Sequence, residues 1–356
     1  MKALSLFANV GLSEVYLPDL GVDVVVANEL VSKRCEFYRQ LHPSTNMIEG
    51  NITNDKIKKS IVNASKDEGI DLIIATPPCQ GMSLANPTAS ESFKKNSDKH
   101  DARNSLICHA MDIFNEVLPQ YMLIENVRGM TKAYISVDGE PVLIIDYIKS
   151  RLPEGYELEW KILNAKDFGT PQSRARFIGL ISKGGKWKHP KKNTKEITVR
   201  EAIGHLPSLE SGETSEYPWH FGRKHCERHI RWLKHTPTGE TAFNNKEHYP
   251  QKDGRKIRGF KSTYARLWWD RPSTTITMNN GDLASQSNGH PGRPNGDGTY
   301  SDARAISVME AAILCGLPHD FFDPYFGVYS ESLVRKVIGE CFPPKMSREI
   351  IRSIAE

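Results

Sequence analysis

The sequence predicts an α/β protein: a doubly wound, mostly parallel sheet with a second, smaller domain. Three observations carry that prediction. Short apolar runs recur through the first half of the chain, separated by stretches of helical periodicity. Several of these runs are apolar throughout rather than alternating, as in strands covered on both faces. After residue 182 the rhythm stops and the composition turns basic and rich in Gly and Pro.

Taken in order, Lys2 to Phe7 reads as the first strand, and the turn Ala8-Asn9-Val10-Gly11 leads into a helical-looking segment, Leu12 to Leu17. Gly11, with Asn9, shapes that turn, because both tolerate positive φ. Val22 to Asn28 is the next strand. Glu29 follows it at once, where a carboxylate would hold a ribose hydroxyl pair or, equally, open the helix Val31 to Leu41. Met47 to Ile52 forms a third strand, and Thr53 or Asn54 caps a helix reaching Glu68. Leu72 to Ala75 is a buried strand stopped by Pro77-Pro78, so Cys79 stands at a carboxyl edge, either as a nucleophile or as an inert thiol. The polar stretch from Met82 to Asp101, with Lys94, Lys95 and Lys99, reads as a basic lid.

Arg103 to Leu118 has helical spacing, Tyr121 to Ile124 is a strand, and Glu125-Asn126-Val127 ends it. In a doubly wound sheet Phe7, Cys79 and Glu125 converge on one crevice. Pro141 opens a helix running to Leu152, and Glu157 to Asn164 and Arg176 to Ile181 are the last two strands. Arg174 and Arg176, two residues apart, would share one face of the sheet edge, for an anion, a base edge or a salt bridge.

The chain has 356 residues, a net charge of +4 and six scattered cysteines without a C-x-x-C pair. That pattern suits free thiols in a reducing compartment. No apolar stretch reaches membrane-spanning length and no signal peptide is indicated, so the expected address is cytoplasmic, with no membrane partner.

Pro77-Pro78-Cys79-Gln80, Glu125-Asn126-Val127 and Gln172-Ser173-Arg174-Ala175-Arg176, in this order, resemble the PCQ, ENV and Q-x-R-x-R motifs of the DNA cytosine-5 methyltransferases of bacterial restriction-modification type. The resemblance extends to Phe7 to Gly11 for the F-x-G-x-G turn, Asn28-Glu29, Gly50-Asn51-Ile52, Asp101 to Leu106, Ala305 to Leu317 and Ile338 to Pro344. Asn9, Leu30, Asn51 and Glu340 depart from the family pattern on the cofactor side.

The resemblance implies a seven-stranded Rossmann-like methyltransferase sheet. It implies transfer of a methyl group from S-adenosyl-L-methionine to C5 of a flipped-out cytosine in double-stranded DNA. Cytosine C5 is a weak nucleophile, so the family first adds a thiolate to C6, the role that falls to Cys79. Glu125 would bond N3 and the exocyclic amine, with its pKa raised by burial; Arg174 would lie near O2 and favour the thiolate, and Arg176 completes the catalytic set. The implied cofactor residues are Phe7, Ala8, Asn9, Gly11, Leu12, Glu29, Leu30, Asn51, Ile52, Pro78, Leu106, Glu340 and Cys341. No metal is implied.

From residue 183 the basic segment with Trp187 suits phosphate contact, and the histidine-rich run from Trp219 to His235 reads as a basic helix along DNA. The expected DNA contacts are Gln80, Ser83, Lys94, Lys95, Arg255, Arg258, Lys261 and Arg266, the arginines placed to bond guanine edges. The domains implied are a catalytic one (1–182), a target-recognition one (183–324) and a return to the catalytic one (325–356). A monomer partnered by a cognate restriction endonuclease is the leading expectation. A tRNA methyltransferase on the same framework and a non-catalytic DNA-binding relative are the alternatives.

Overall fold

The structure is a computed structural model that describes residues 1–79, 81–82, 89–95, 101–192, 195–260 and 262–355. The chain divides into two compact units. The first comprises Met1–Asn164, Ala175–Lys192 and Met346–Glu356; the second comprises Ala165–Arg174 and Asn193–Lys345.

The strands of the first unit are β1 (Lys2–Leu6), β2 (Asp23–Glu29), β3 (Asn46–Glu49), β4 (Leu72–Ala75), β5 (Tyr121–Val127), a separate hairpin of β6 (Tyr134–Val137) and β7 (Glu140–Leu143), then β8 (Tyr156–Asn164) and β9 (Ala175–Lys183). Seven of them form one sheet in the order β3-β2-β1-β4-β5-β9-β8. The pairs among β1 to β5 are parallel, and β9 runs antiparallel to both β5 and β8. The order reverses between β1 and β4, which sets the switch point at the carboxyl ends of those strands.

All four residues of β4 are wholly buried, which is why its sequence is apolar without alternation. Helices α2 (Asp55–Glu68), α3 (Leu106–Val117) and α4 (Ile144–Ser150) contribute Ile61, Ile107, Phe114 and Ile148 to one core with Leu4, Leu6, Val26 and Ile73. Ala27, the neighbour of Val26, points the other way, into a second cluster with Cys35 and Tyr38 of α1 (Ser32–Leu41). Burial raises the Cys35 thiol to about 12, so it stays protonated. Asn54 rather than Thr53 caps α2, accepting from the Lys56 N–H at 2.9 Å.

Two local expectations give way. Residues 12–17 hold only a short 3₁₀ turn, Leu12–Glu14. Pro141 lies in β7, not in a helix, because Asp138 (φ 52°) and Gly139 (φ 86°) make a two-residue hairpin turn and α4 starts only at Ile144.

At the end of β9, Trp187 is 1% exposed and its indole N–H donates to Ile350 O and Ser353 Oγ of α9 (Pro344–Ala355), anchoring that helix. Its burial removes it from any phosphate contact.

The second unit carries little regular structure: α5 (Val199–Ile203), α6 (Glu227–Lys234), the hairpin β10 (Gln251–Lys252) and β11 (Arg255–Lys256), α7 (Val308–Leu314) and α8 (Glu331–Glu340). Charged side chains hold much of its interior. Arg304 bonds both oxygens of Glu310 (2.8 and 2.9 Å) and Asp302 (3.0 Å), with all three side chains at most 1% exposed. Glu310 also accepts from the Ser307 N–H and Ser307 from the Glu310 N–H, a capping box that starts α7. The histidine-rich run is likewise used internally: His220 bonds Ser307 and Pro207 O, and His225 accepts from the Ala305 N–H.

Candidate active site

The chemistry-bearing residues of the first unit stand at the carboxyl edge of its sheet. Ala75, the last residue of β4, pairs with Ile124 of β5, and Glu125 is the next residue along. Asn126 Nδ2 donates to Pro77 O at 3.0 Å, which fastens the end of β5 to the Pro-Pro step before Cys79. Cys79 is partly exposed, and the Met82 N–H closes a turn on its carbonyl at 2.9 Å. Gly81 sits in that turn against the Asp101–Asn104 segment: a Cβ there would lie 2.4 Å from Asn104 Oδ1 and 2.5 Å from Asp101 Cβ, so only glycine fits.

Glu125 is 8% exposed and lies opposite Ile178, with Arg176 two residues along β9 on the same face. This diagonal register brings the Arg176 Nε to 2.8 Å from Glu125 Oε1, with both side chains about nine-tenths buried. The antiparallel course of β9 beside β5 thus brings Arg176 to the carboxylate as a paired cation. Arg174 precedes the strand and belongs to the second unit, where it donates to Ile276 O (2.8 Å) and Gly339 O (2.9 Å). The two arginines do not share one face of a sheet edge, because β9 begins only at Ala175.

Sequence reading missed Arg103. Asp101 accepts from its backbone N–H and binds its guanidinium at 2.9 and 2.6 Å. The Arg103 pKa is raised, chiefly by the Asp101 hydrogen bond, then by the charge of Asp101 and of Cys79. Its field therefore reaches the thiol. Its place in the family-like stretch Asp101 to Leu106, two residues after Asp101, was the available signal.

At the switch point Phe7 (φ 60°), Asn9 (φ 54°) and Gly11 (φ 76°) all adopt left-handed backbone. The Glu29 carboxylate organises this turn: Oε2 accepts from the Asn9 N–H, and Oε1 accepts from the Leu30 and Val31 N–H groups, each at 2.9 Å. Three of its roughly four acceptor sites are thereby filled, leaving one for a ligand rather than the two expected from sequence. Leu30 is 60% exposed beside it; Ala8, Leu12 and Ile52 are buried, and Asn51 accepts from the Thr53 N–H. Asn9 Oδ1 is buried and has no hydrogen-bond partner among the described residues. Pro78 and Leu106 are half-buried at the ends of β4 and the start of α3, while Glu340 and Cys341 close α8 in the second unit.

Of the expected DNA contacts, Gln80, Ser83 and Lys261 lie outside the described residues, as do most of the basic lid and Lys99. Lys94 and Lys95 are exposed, with Lys94 on Glu91 at 2.6 Å. Arg255 and Arg258 are exposed in and after β11. Arg266 is not on a surface: it is 2% exposed and its guanidinium donates to the carbonyls of Leu233, His290, Asp302 and Tyr300. Its donors hold the interior together and cannot read a base.

A mostly parallel seven-stranded sheet with one reversed strand, and with a cysteine and a carboxylate on its carboxyl edge, defines the class: a Rossmann-like methyltransferase. Solved structures share the fold. Entamoeba histolytica methyltransferase EhMeth matches with a TM-score of 0.66 at 14% identity, covering 100% of this chain and 99% of its own. A mutant of Spodoptera frugiperda DNMT2 matches with 0.63 at 16%, covering 100% and 99%.

Over residues 1–356 the chain matches the family described as C-5 cytosine-specific DNA methylase, and it belongs to that family. It is 42% identical over 356 residues to the Type II methyltransferase M1.HgaI of Avibacterium volantium, spanning 99% of this chain and 98% of that one. It is 26% identical to the Type II methyltransferase M1.HphI of Haemophilus parahaemolyticus, spanning 99% and 86%. No helix among the described residues is long and apolar enough to cross a membrane.

Proposed function

We propose that the protein methylates C5 of cytosine at a specific sequence in double-stranded DNA, with S-adenosyl-L-methionine as donor and Cys79 as a covalent nucleophile. The observation that carries this reading is the buried Glu125–Arg176 pair on the same sheet edge as Cys79, joined to it by the Asn126–Pro77 bond.

The Cys79 thiolate adds to C6 and pushes the ring electrons toward C5. Glu125, positioned by Arg176 and carrying a proton when it donates to N3, also accepts from the exocyclic amine, and its proton offsets the negative charge that builds on the ring; that proton returns to Glu125 when Cys79 leaves. Arg103, clamped by Asp101, supplies positive charge near the sulfur. After C5 takes up the methyl group, loss of the C5 proton returns electrons to the ring and expels Cys79.

The donor residues fit S-adenosylmethionine. The unpartnered Asn9 Oδ1 supplies an acceptor for its amino or hydroxyl groups, Glu29 keeps one acceptor site for a ribose hydroxyl, and exposed Leu30 offers an apolar face for adenine. When bound, it supplies an electrophilic methyl group on a sulfonium. Phe7, Ala8, Gly11, Leu12, Asn51, Ile52, Pro78 and Leu106 complete this part of the site, and Glu340 and Cys341 are assigned to cofactor binding by family resemblance alone.

The type II names of the relatives support a role beside a restriction endonuclease, and we extend the reading to a cytoplasmic monomer. The test is to express the chain in a host lacking cytosine methylation and sequence the DNA for 5-methylcytosine. Methylation within one sequence context is expected; none, with folded protein present, overturns the reading.

A further inference from the structure

We propose that Phe260 is an aromatic wedge that stacks into the DNA duplex next to the bases being read. The inference rests on duplex DNA being the substrate.

At 80% exposure, Phe260 is the most exposed large apolar side chain among the described residues. It is nonetheless firmly mounted. Its carbonyl accepts from both the N–H (3.0 Å) and the hydroxyl (2.8 Å) of Thr263. The preceding Gly259 is pressed against Phe243, where a Cβ would meet the ring at 2.4 Å. Phe243 in turn packs on a core cluster that includes Tyr264 and Trp232. The backbone at Gly259 and Phe260 is held while the ring projects into water, a placement that forgoes the burial an apolar ring ordinarily seeks.

The surroundings favour a polyanion as occupant. Lys252, Arg255, Lys256 and Arg258 are all exposed on the hairpin β10–β11 and its exit. The turn at Asp253 (φ 51°) and Gly254 (φ 75°) holds that hairpin tight. Lys256 is also fixed, donating to Phe243 O at 2.8 Å. The neighbouring cleft of about 520 Å³ at the hairpin root is lined by Arg228 and Arg231 but also by Glu227 and Glu247, so the cationic rim is the hairpin itself.

Phosphates neutralise such a rim, and a ring among cations is suited to a base step, because every base offers a π-face. Inserting an apolar side chain unstacks the neighbouring step, which lowers the remaining cost of extruding a cytosine.

The test uses the full chain and a fluorescent duplex containing the sequence that the wild type methylates, with 2-aminopurine next to the target cytosine. Phe260→Ala is expected to weaken binding about ten-fold or more. It should also abolish the rise in 2-aminopurine fluorescence while leaving the salt dependence, melting temperature and S-adenosylmethionine calorimetry unchanged. Phe260→Trp should retain both signals, and Arg258→Ala should lower the salt slope by about one. Phe260→Ala binding and unstacking the duplex like the wild type overturns the wedge. Wild-type protein that neither binds nor methylates duplex DNA overturns the DNA reading itself.

Discussion

Replacing Arg176 with methionine separates two roles that the Q-S-R-A-R segment combines. The guanidinium lies 2.8 Å from the Glu125 carboxylate, with both groups about nine-tenths buried. Taking about 4 Å between charge centres and an effective dielectric of about 20, their attraction is about 4 kcal/mol. Removing one partner of a buried pair typically costs about 3 to 5 kcal/mol. If about 3 kcal/mol of this is lost in the transition state, the methyl-transfer step slows by about two orders of magnitude.

Arg174→Met removes different bonds, those to Ile276 O and Gly339 O inside the second unit. Charged donors to buried carbonyls contribute about 1.5 to 3 kcal/mol each, so this variant should melt on the order of 10 °C lower. The assay is single-turnover methylation at saturating DNA and S-adenosylmethionine, with thermal denaturation alongside. Arg176→Met transferring methyl within three-fold of the wild type would refute the argument, as would Arg174→Met losing turnover at an unchanged melting temperature.

Other outcomes follow from single observations. Arg103→Met should slow alkylation of Cys79 by iodoacetamide at pH 7, read by peptide mass spectrometry, by about three- to ten-fold, since a nearby unit charge is worth about 0.5 to 1.5 kcal/mol at a partly exposed site; an unchanged rate removes Arg103 from the account. Gly11→Ala puts a Cβ 2.3 Å from His42 Nε2 in a backbone of φ 76°. That variant should bind S-adenosylmethionine at least about ten-fold more weakly by calorimetry, and wild-type affinity would show that the turn does not shape the cofactor site. Burial lowers the His189 and His225 imidazoles to about 4. Unfolded histidine protonates near 6.5, so between these values the unfolded chain binds more protons and stability falls as pH drops from about 6.5 toward 4. Urea midpoints should therefore be lower at pH 5 than at pH 7.5, and an equal or higher midpoint at pH 5 contradicts the sign.

Much of the first unit was legible because burial on both faces writes itself as unbroken apolar runs: Leu72 to Ala75 and Tyr121 to Ile124 were readable as strands, with Cys79 and Glu125 just beyond them. Pairing was not legible. That Arg176 meets Glu125 depends on β9 running antiparallel beside β5, a long-range register that no local pattern encodes. Charge patterning misled in the second unit, because a sequence does not distinguish a solvated arginine from one whose donors are enclosed by carbonyls, as Arg266 is. Trp187 misled in the same way. The Asp138-Gly139 hairpin was overlooked although Asp-Gly is a strong local turn signal; Pro141 was given more weight.

The most direct test of the central claim is a covalent one. Duplexes synthesised with 5-fluorocytosine at every cytosine need no knowledge of the target site, and fluorine at C5 cannot leave as a proton does, so a Cys79–C6 adduct should persist once the methyl group has been transferred. Mass spectrometry of the digested complex should find Cys79 joined to a methylated fluorocytosine, dependent on S-adenosylmethionine and absent from Cys79→Ser. Wild-type protein giving no adduct, or an adduct on another residue, would contradict the account.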